Sequence, residues 1–122
     1  MLLDSNIIIY AARSEAVALQ NHIASRDVFV SVISYVEVLG FQRLNNAERR
    51  WFKDFFDNAD MLPLSQPILD EAIRLRQQKT LKLGDALIAA TALVHNLELA
   101  THNVTDFSWI AGLHVVDPVA SC

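Results

Sequence analysis

One cysteine, three glycines and three prolines in 122 residues are the scarcities of this chain. With Cys122 alone no disulfide forms within the chain, so packing must hold the fold, and a reducing cytosol suits it. So few glycines and prolines exclude collagen-like, low-complexity and linker-rich architectures. Positive charge is scarce too. Ten Lys and Arg face fourteen Asp and Glu, a formal net charge of −4, which argues against a broad basic surface for gripping polyanions. No basic segment followed by an apolar stretch and a small-residue cleavage site opens the chain, so no signal peptide is expected. The apolar run at residues 86–94 (ALIAATALV) is far shorter than the ~20 residues of a bilayer span. The expectation is a soluble, cytoplasmic protein with no membrane partner.

What remains is a half-hydrophobic composition long enough for one real core, so a single domain over residues 1–122 is expected. The pattern alternates. Residues 1–4 read as a strand and 6–24 as a helix; 27–34 (DVFVSVIS) is β-branched and aromatic, hence a second strand. A helix begins near Ser34, and another covers 47–59 with Trp51, Phe52, Phe55 and Phe56 on one stripe. Residues 61–64 form a third strand, and Ser65 followed by Pro67 starts a helix over 65–79. The next helix is apolar around most of its circumference, with Asp85 as its only charge. Residues 97–103 and 113–118 supply two last strands. Strands alternating with helices predict a three-layer α/β/α sandwich with a central, mainly parallel five-stranded sheet. Ligands of such folds sit outside the carboxyl ends of the strands, where the strand order reverses.

That rule gathers the acids. Asp4 ends the first strand, Glu37 and Asp85 lie in the first turns of helices, and Asn103 and Asp106 follow the fourth strand. Each has an ordinary explanation. Asp4 can cap a helix, Ser34-x-x-Glu37 matches a capping box, Asp85 suits a helix dipole, and Asn103-x-x-Asp106 suits a turn. Together they ask for more, because two carboxylates ~5 Å apart repel by ~3 kcal/mol at an effective dielectric of ~20. Hard oxygen ligands with room for water suit Mg²⁺ or Mn²⁺, which promote attack of water on phosphodiesters.

At these residues the chain resembles the PIN-domain ribonucleases, in particular the VapC-type toxins of bacterial toxin–antitoxin pairs. LLDSNIIIY looks like the first acidic motif of that family, SVISYVEVLG the second, LGDALIAATAL the third, and LATHNVTDF followed by GLHVVDP the ending. The resemblance implies that Asp4, Glu37, Asp85 and Asp106 are catalytic, metal-holding carboxylates. Asn103 competes with Asp106 for the fourth place. Ser5, Asn6 and Thr101 match polar supporting positions, beside their plainer reading as turn and cap residues. It further implies an endoribonuclease dependent on Mg²⁺ (or Mn²⁺), an RNA substrate with tRNA as one candidate, a cognate antitoxin whose tail crosses the cleft, and a homodimer.

Other features read more plainly. His22, His95, His102 and His114 show no ligand spacing as a set. Arg43, Arg49, Arg50, Lys53, Arg74, Arg76, Lys79 and Lys82 are candidates for RNA phosphates, although solvated helix faces explain most of them. The Trp51/Phe55 stripe reads as core, and the resemblance adds a partner groove or a dimer contact as the alternative. Two rivals stand against the nuclease. One is a catalytically inactive PIN-like binding module that keeps the acids as caps. The other, a receiver-type phosphoacceptor domain, would need an acceptor Asp where this chain has Leu64 and Ser65, and a late Lys that is absent.

Overall fold

The computed structural model describes residues 1–119, so Cys122 lies outside the described residues. In chain order the elements are β1 (Leu2–Leu3), α1 (Ser5–Ala11), α2 (Val17–Ala24), β2 (Phe29–Ser31), α3 (Val32–Leu39), α4 (Asn46–Asn58), β3 (Asp60–Leu62), α5 (Gln66–Gln78), α6 (Leu83–Val94), β4 (Leu99–Ala100), α7 (Val104–Phe107) and β5 (Val115–Val116). The sheet runs β3-β2-β1-β4-β5 and every pairing is parallel. This is the expected three-layer α/β sandwich.

Side chains leave a strand on alternate faces, and β1 shows what that achieves. Leu2 enters a core with Ile68, Leu75, Ile88, Leu99 and Phe107, under α5, α6 and α7. Leu3 enters the opposite core with Ile7, Ile8, Leu19, Val30, Phe52 and Phe56, under α1 to α4. Seven consecutive residues of α6, Ala86 to Ala92, are buried, so its apolar circumference is sheathed as its composition requires. No helix among the described residues is long and apolar enough to cross a membrane.

Strand order decides where the site lies. From β1 the chain moves outward through β2 to β3, then returns to place β4 on the other side of β1. The reversal falls between β1 and β4, and the residues that follow these strands are Asp4 and Thr101.

Four local expectations are corrected. Residues 6–24 make two helices, because the polar stretch at 13–15 stays in solvent as a turn and Gln20 Nε2 donates to the Ala11 carbonyl at 2.7 Å across the break. The strand expected over 27–34 stops at Ser31, whose hydroxyl accepts from the Ile33 amide at 3.0 Å and starts α3. Val32 and Ile33 therefore belong to a helix, since a short apolar run does not distinguish a buried strand from a buried helix start. With Ser31 as the cap, the Ser34/Glu37 capping box does not form, and Glu37 lies in the second turn of α3. A capping box does form on α4, between Asn45 and Glu48. The fourth strand ends at Ala100, and the residues beyond Thr101 turn into the one-turn helix α7, which periodicity does not announce.

Candidate functional site

Asp4 is only 4% exposed, unusual for a carboxylate. Its Oδ1 accepts from the Ser5 amide at 2.8 Å, so it does cap α1, and its Oδ2 accepts from Thr101 Oγ1 at 2.7 Å. Thr101 is itself fully buried and receives the Asn103 amide at 3.0 Å. Strands β1 and β4 are thus tied at the point of reversal. Burial pushes the Asp4 carboxyl up to about 6, the two hydrogen bonds hold it down in part, and the charges of Asp85 and Glu37 add to the rise.

Glu37 reaches the same edge from α3. Its Oε1 accepts from Ser5 Oγ at 2.8 Å, and Ser5 Oγ lies 2.8 Å from Ser34 Oγ. A hydroxyl has one proton. If Ser5 spends it on the carboxylate, the fully buried Ser34 must donate to Ser5, giving a directed chain from Ser34 through Ser5 to Glu37. The expected result of Ser34→Ala is a loss of about 1 kcal/mol in urea denaturation, with Glu37 less firmly held. An unchanged unfolding midpoint would show that the chain does not hold.

On its other side Glu37 leans on Gly84. A Cβ at Gly84 would stand 2.7 Å from Glu37 Oε2, closer than atoms tolerate, so the second residue of α6 has to be bare for α3 and α6 to meet here. Asp85 follows at once, half-buried. Burial raises its carboxyl above the usual range, the charge of Lys82 opposes this, and the charges of Asp106 and Glu37 reinforce it.

Asp106 lies on α7 and shares with Asp85 a cavity of about 270 Å³. Asn103 caps the start of α7, with its carbonyl taken by the Asp106 amide at 3.1 Å. Between these two, Asp106 is the one whose charge Asp85 feels. Asn6 Oδ1 lies 3.4 Å from the His102 amide, a loose tie between α1 and the end of β4.

The acids are coupled by charge across an open edge rather than by contact. Among the described residues, no three His, Cys, Asp or Glu side chains stand close enough to enclose a metal ion. The donors are all carboxylate oxygens, and Mg²⁺ is commonly held by one or two carboxylates with water on its remaining positions. The chemistry of the donor set fits such an ion.

The remaining candidates separate by their partners. Arg74 pairs with Glu71, and Arg76 Nε donates to the Leu81 carbonyl at 3.2 Å, so both serve local structure. Lys53 pairs with Asp57 at 3.2 Å and lines a groove with Arg49 and Arg50. Lys79 and Lys82 line the cavity of Asp85 and Asp106. His102 Nδ1 meets Asp117 Oδ2 at 2.9 Å and His114 Nδ1 lies 3.4 Å from Glu98, so these two histidines face separate acids. In α4, Phe52 and Phe56 are core, whereas Trp51 and Phe55 stack at 5.7 Å and border an apolar cavity with Ala11, Gln20, Ile23 and Ala24.

Two residues escaped the sequence reading. Ser34 looked like a cap, and only α1 packing on α3 turns it toward Ser5. Gly84 carried a usable signal: a glycine at the start of a strong helix, beside that helix's only charge, marks a close approach.

The chain matches the PIN domain family over residues 1–113. It is 31% identical to ribonuclease VapC1 of Rickettsia felis, with 95% of this chain and 94% of that protein covered. Among solved structures, a toxin–antitoxin complex from Klebsiella pneumoniae superimposes with a TM-score of 0.76 at 34% identity, covering 96% of each chain. The VapBC2 complex of Rickettsia felis bound to a promoter DNA fragment reaches a TM-score of 0.83 at 20% identity, a likeness of fold alone, over 95% of this chain and 96% of that one. An α/β sandwich whose strand reversal carries a buried aspartate, matched over nearly its whole length, belongs to the PIN-domain family, among its VapC-type members.

Proposed function

We propose that this chain acts as a single-domain, metal-dependent endoribonuclease, the toxin of a toxin–antitoxin pair. The observation that carries the reading is the buried Asp4, which feels the charges of Asp85 and Glu37 although all three are far apart in sequence. Acids whose charges add to the raised proton affinity of Asp4 and Asp85 call for a cation. Asp4, Glu37, Asp85 and Asp106 would hold Mg²⁺ or Mn²⁺. Such an ion supplies charge neutralisation at a phosphodiester and acidifies a water for attack.

The chain's own residues do the rest. Thr101 and the Ser5 amide fix both oxygens of Asp4, so the carboxylate keeps one orientation whether or not it is charged. Ser5 and Ser34 orient Glu37 through its Oε1, leaving Oε2 toward Gly84 and the acids. Lys82 keeps Asp85 closer to its ionised form. The cognate antitoxin would lay an apolar segment against the Trp51/Phe55 cavity, and the exposed Val36, Ile73 and Leu83 suit a homodimer contact.

Purified protein incubated with RNA and Mg²⁺ or Mn²⁺ should cleave it, and Asp85→Asn should not. Equal cleavage by both proteins rejects the reading. A second readout needs no activity. Mn²⁺ at a hundred times its dissociation constant should stabilise the fold by about 2.7 kcal/mol at pH 7.5, visible as a rise in Tm, and the rise should shrink by pH 5 as Asp4 protonates. The inactive binding module draws support from the open spacing of the acids. Titration calorimetry with Mn²⁺ separates the two, since a module without a metal site gives no carboxylate-dependent heat.

A further inference from the structure

The cavity that Asp85 and Asp106 line is lined as well by Lys79, Lys82, Thr105 and Trp109. Trp109 is set rigidly. Its indole Nε1 donates to the Asp106 carbonyl at 2.9 Å, and the ring packs against the core beneath α5, α6 and α7. Lys79 Nζ stands over the ring, 5.6 Å from its centroid. Among the described residues neither Lys79 nor Lys82 is in a salt bridge, although the charge of Lys82 acts on Asp85.

An aromatic face, two lysines outside any salt bridge and a pair of acids around one cavity match the parts of a nucleotide: base, phosphates and the bond to be cut. We propose that this cavity is a subsite for single-stranded RNA, in which one base stacks on Trp109 and the flanking phosphates lie on Lys79 and Lys82. The proposal rests on the ribonuclease reading and names how the substrate is held. An exposed ammonium over an indole is a weaker partner than a stacked base, so a base displaces Lys79 from the ring, and the released ammonium finds the backbone beside it. A duplex keeps its base faces stacked inside and has none to offer. The acids repel phosphate, and the two lysines that line the same cavity offset this.

Of the chain's two tryptophans, Trp51 is removed as Trp51→Phe to leave Trp109 as the sole indole reporter. A short single-stranded RNA, titrated in EDTA so that metal-dependent cleavage is off, should quench its fluorescence, and the same sequence as a duplex should not. Binding is then followed with a labelled oligonucleotide. Trp109→Leu should weaken it about 10-fold and Trp109→Phe should recover most of the loss, because the ring and not the indole N–H carries the stacking. Lys79→Gln with Lys82→Gln should reduce the dependence of log Kd on log salt by about 1.4, as two lost phosphate contacts predict. Unchanged binding by Trp109→Leu, no quenching up to millimolar oligonucleotide, or equal quenching by the duplex overturns the proposal. Quenching by a protein that leaves RNA uncut in Mg²⁺ and Mn²⁺ would instead overturn the ribonuclease reading and leave the subsite standing.

Discussion

Asp4→Asn is expected to lower RNA cleavage about a thousand-fold while making the fold more stable at neutral pH. The loss follows from removing one charge from the proposed site, whose ion would supply several kcal/mol of transition-state stabilisation. The gain in stability has a separate cause. Asp4 titrates at about 6 in the folded protein against 3.8 for an exposed aspartate, because burial disfavours its charged form. Between these values the folded state binds a proton that the unfolded chain has released, so stability falls as pH rises from 3.8 to 6. Above 6 the ionised carboxylate carries a penalty of about 3 kcal/mol. Below 3.8 both states are protonated and the penalty is absent.

An asparagine has no charge to bury. Its carbonyl still accepts from the Ser5 amide and its amide donates to Thr101 Oγ1, although the Thr101 proton then needs another acceptor. That lost acceptor takes back part of the gain, leaving about 1–2 kcal/mol. Urea denaturation at several pH values reads it directly. The variant should exceed the parent at pH 7.5 and lose that advantage by pH 4. Parallel pH profiles for the two proteins would mean that Asp4 is not held against its ionisation.

Gly84→Ala should separate activity from stability in another way. In the first turn of a helix alanine is at least as favourable as glycine, so the fold should unfold at the same or slightly higher urea concentration. The new methyl, however, falls where Glu37 Oε2 now lies, 2.7 Å away. The far end of an exposed glutamate swings aside more easily than two helices part, so the strain is relieved by moving the carboxylate. A displacement of about 1 Å in a site of this kind costs on the order of 100-fold in rate. Full cleavage with a normal melting curve would show that Glu37 has no fixed place. A large loss of stability would show that α3 and α6 cannot yield and that the contact is structural.

The periodicity of the chain was sufficient for its architecture. Alternating strands and helices, with an α6 segment apolar around most of its circumference, admit few arrangements besides a covered parallel sheet, because each apolar face must be buried and the crossovers have one hand. Boundaries were less legible. Val32 and Ile33 suit a strand or a helix equally, and what makes them helical is the Ser31 hydroxyl on the Ile33 amide, a choice between two local bonds that composition does not rank. The polar stretch at 13–15 similarly looks tolerable in a helix until Gln20 takes up the Ala11 carbonyl across it.

For the candidate site, the sequence offers candidate residues but not their relationships. Asp4, Glu37, Asp85 and Asp106 stand out as acids beside apolar runs, although a cap, a helix dipole or a turn explains each one singly. Only the tertiary structure joins Thr101 to Asp4 across 97 positions, aims Ser34 at Ser5 across 29, and sets a bare Gly84 under Glu37. These pairings depend on strand order, on the return of β4 to the side of β1, and on the angle at which α3 meets α6. Local propensity acts over a few residues, whereas a carboxylate's proton affinity is set by whatever folding brings within several ångströms of it.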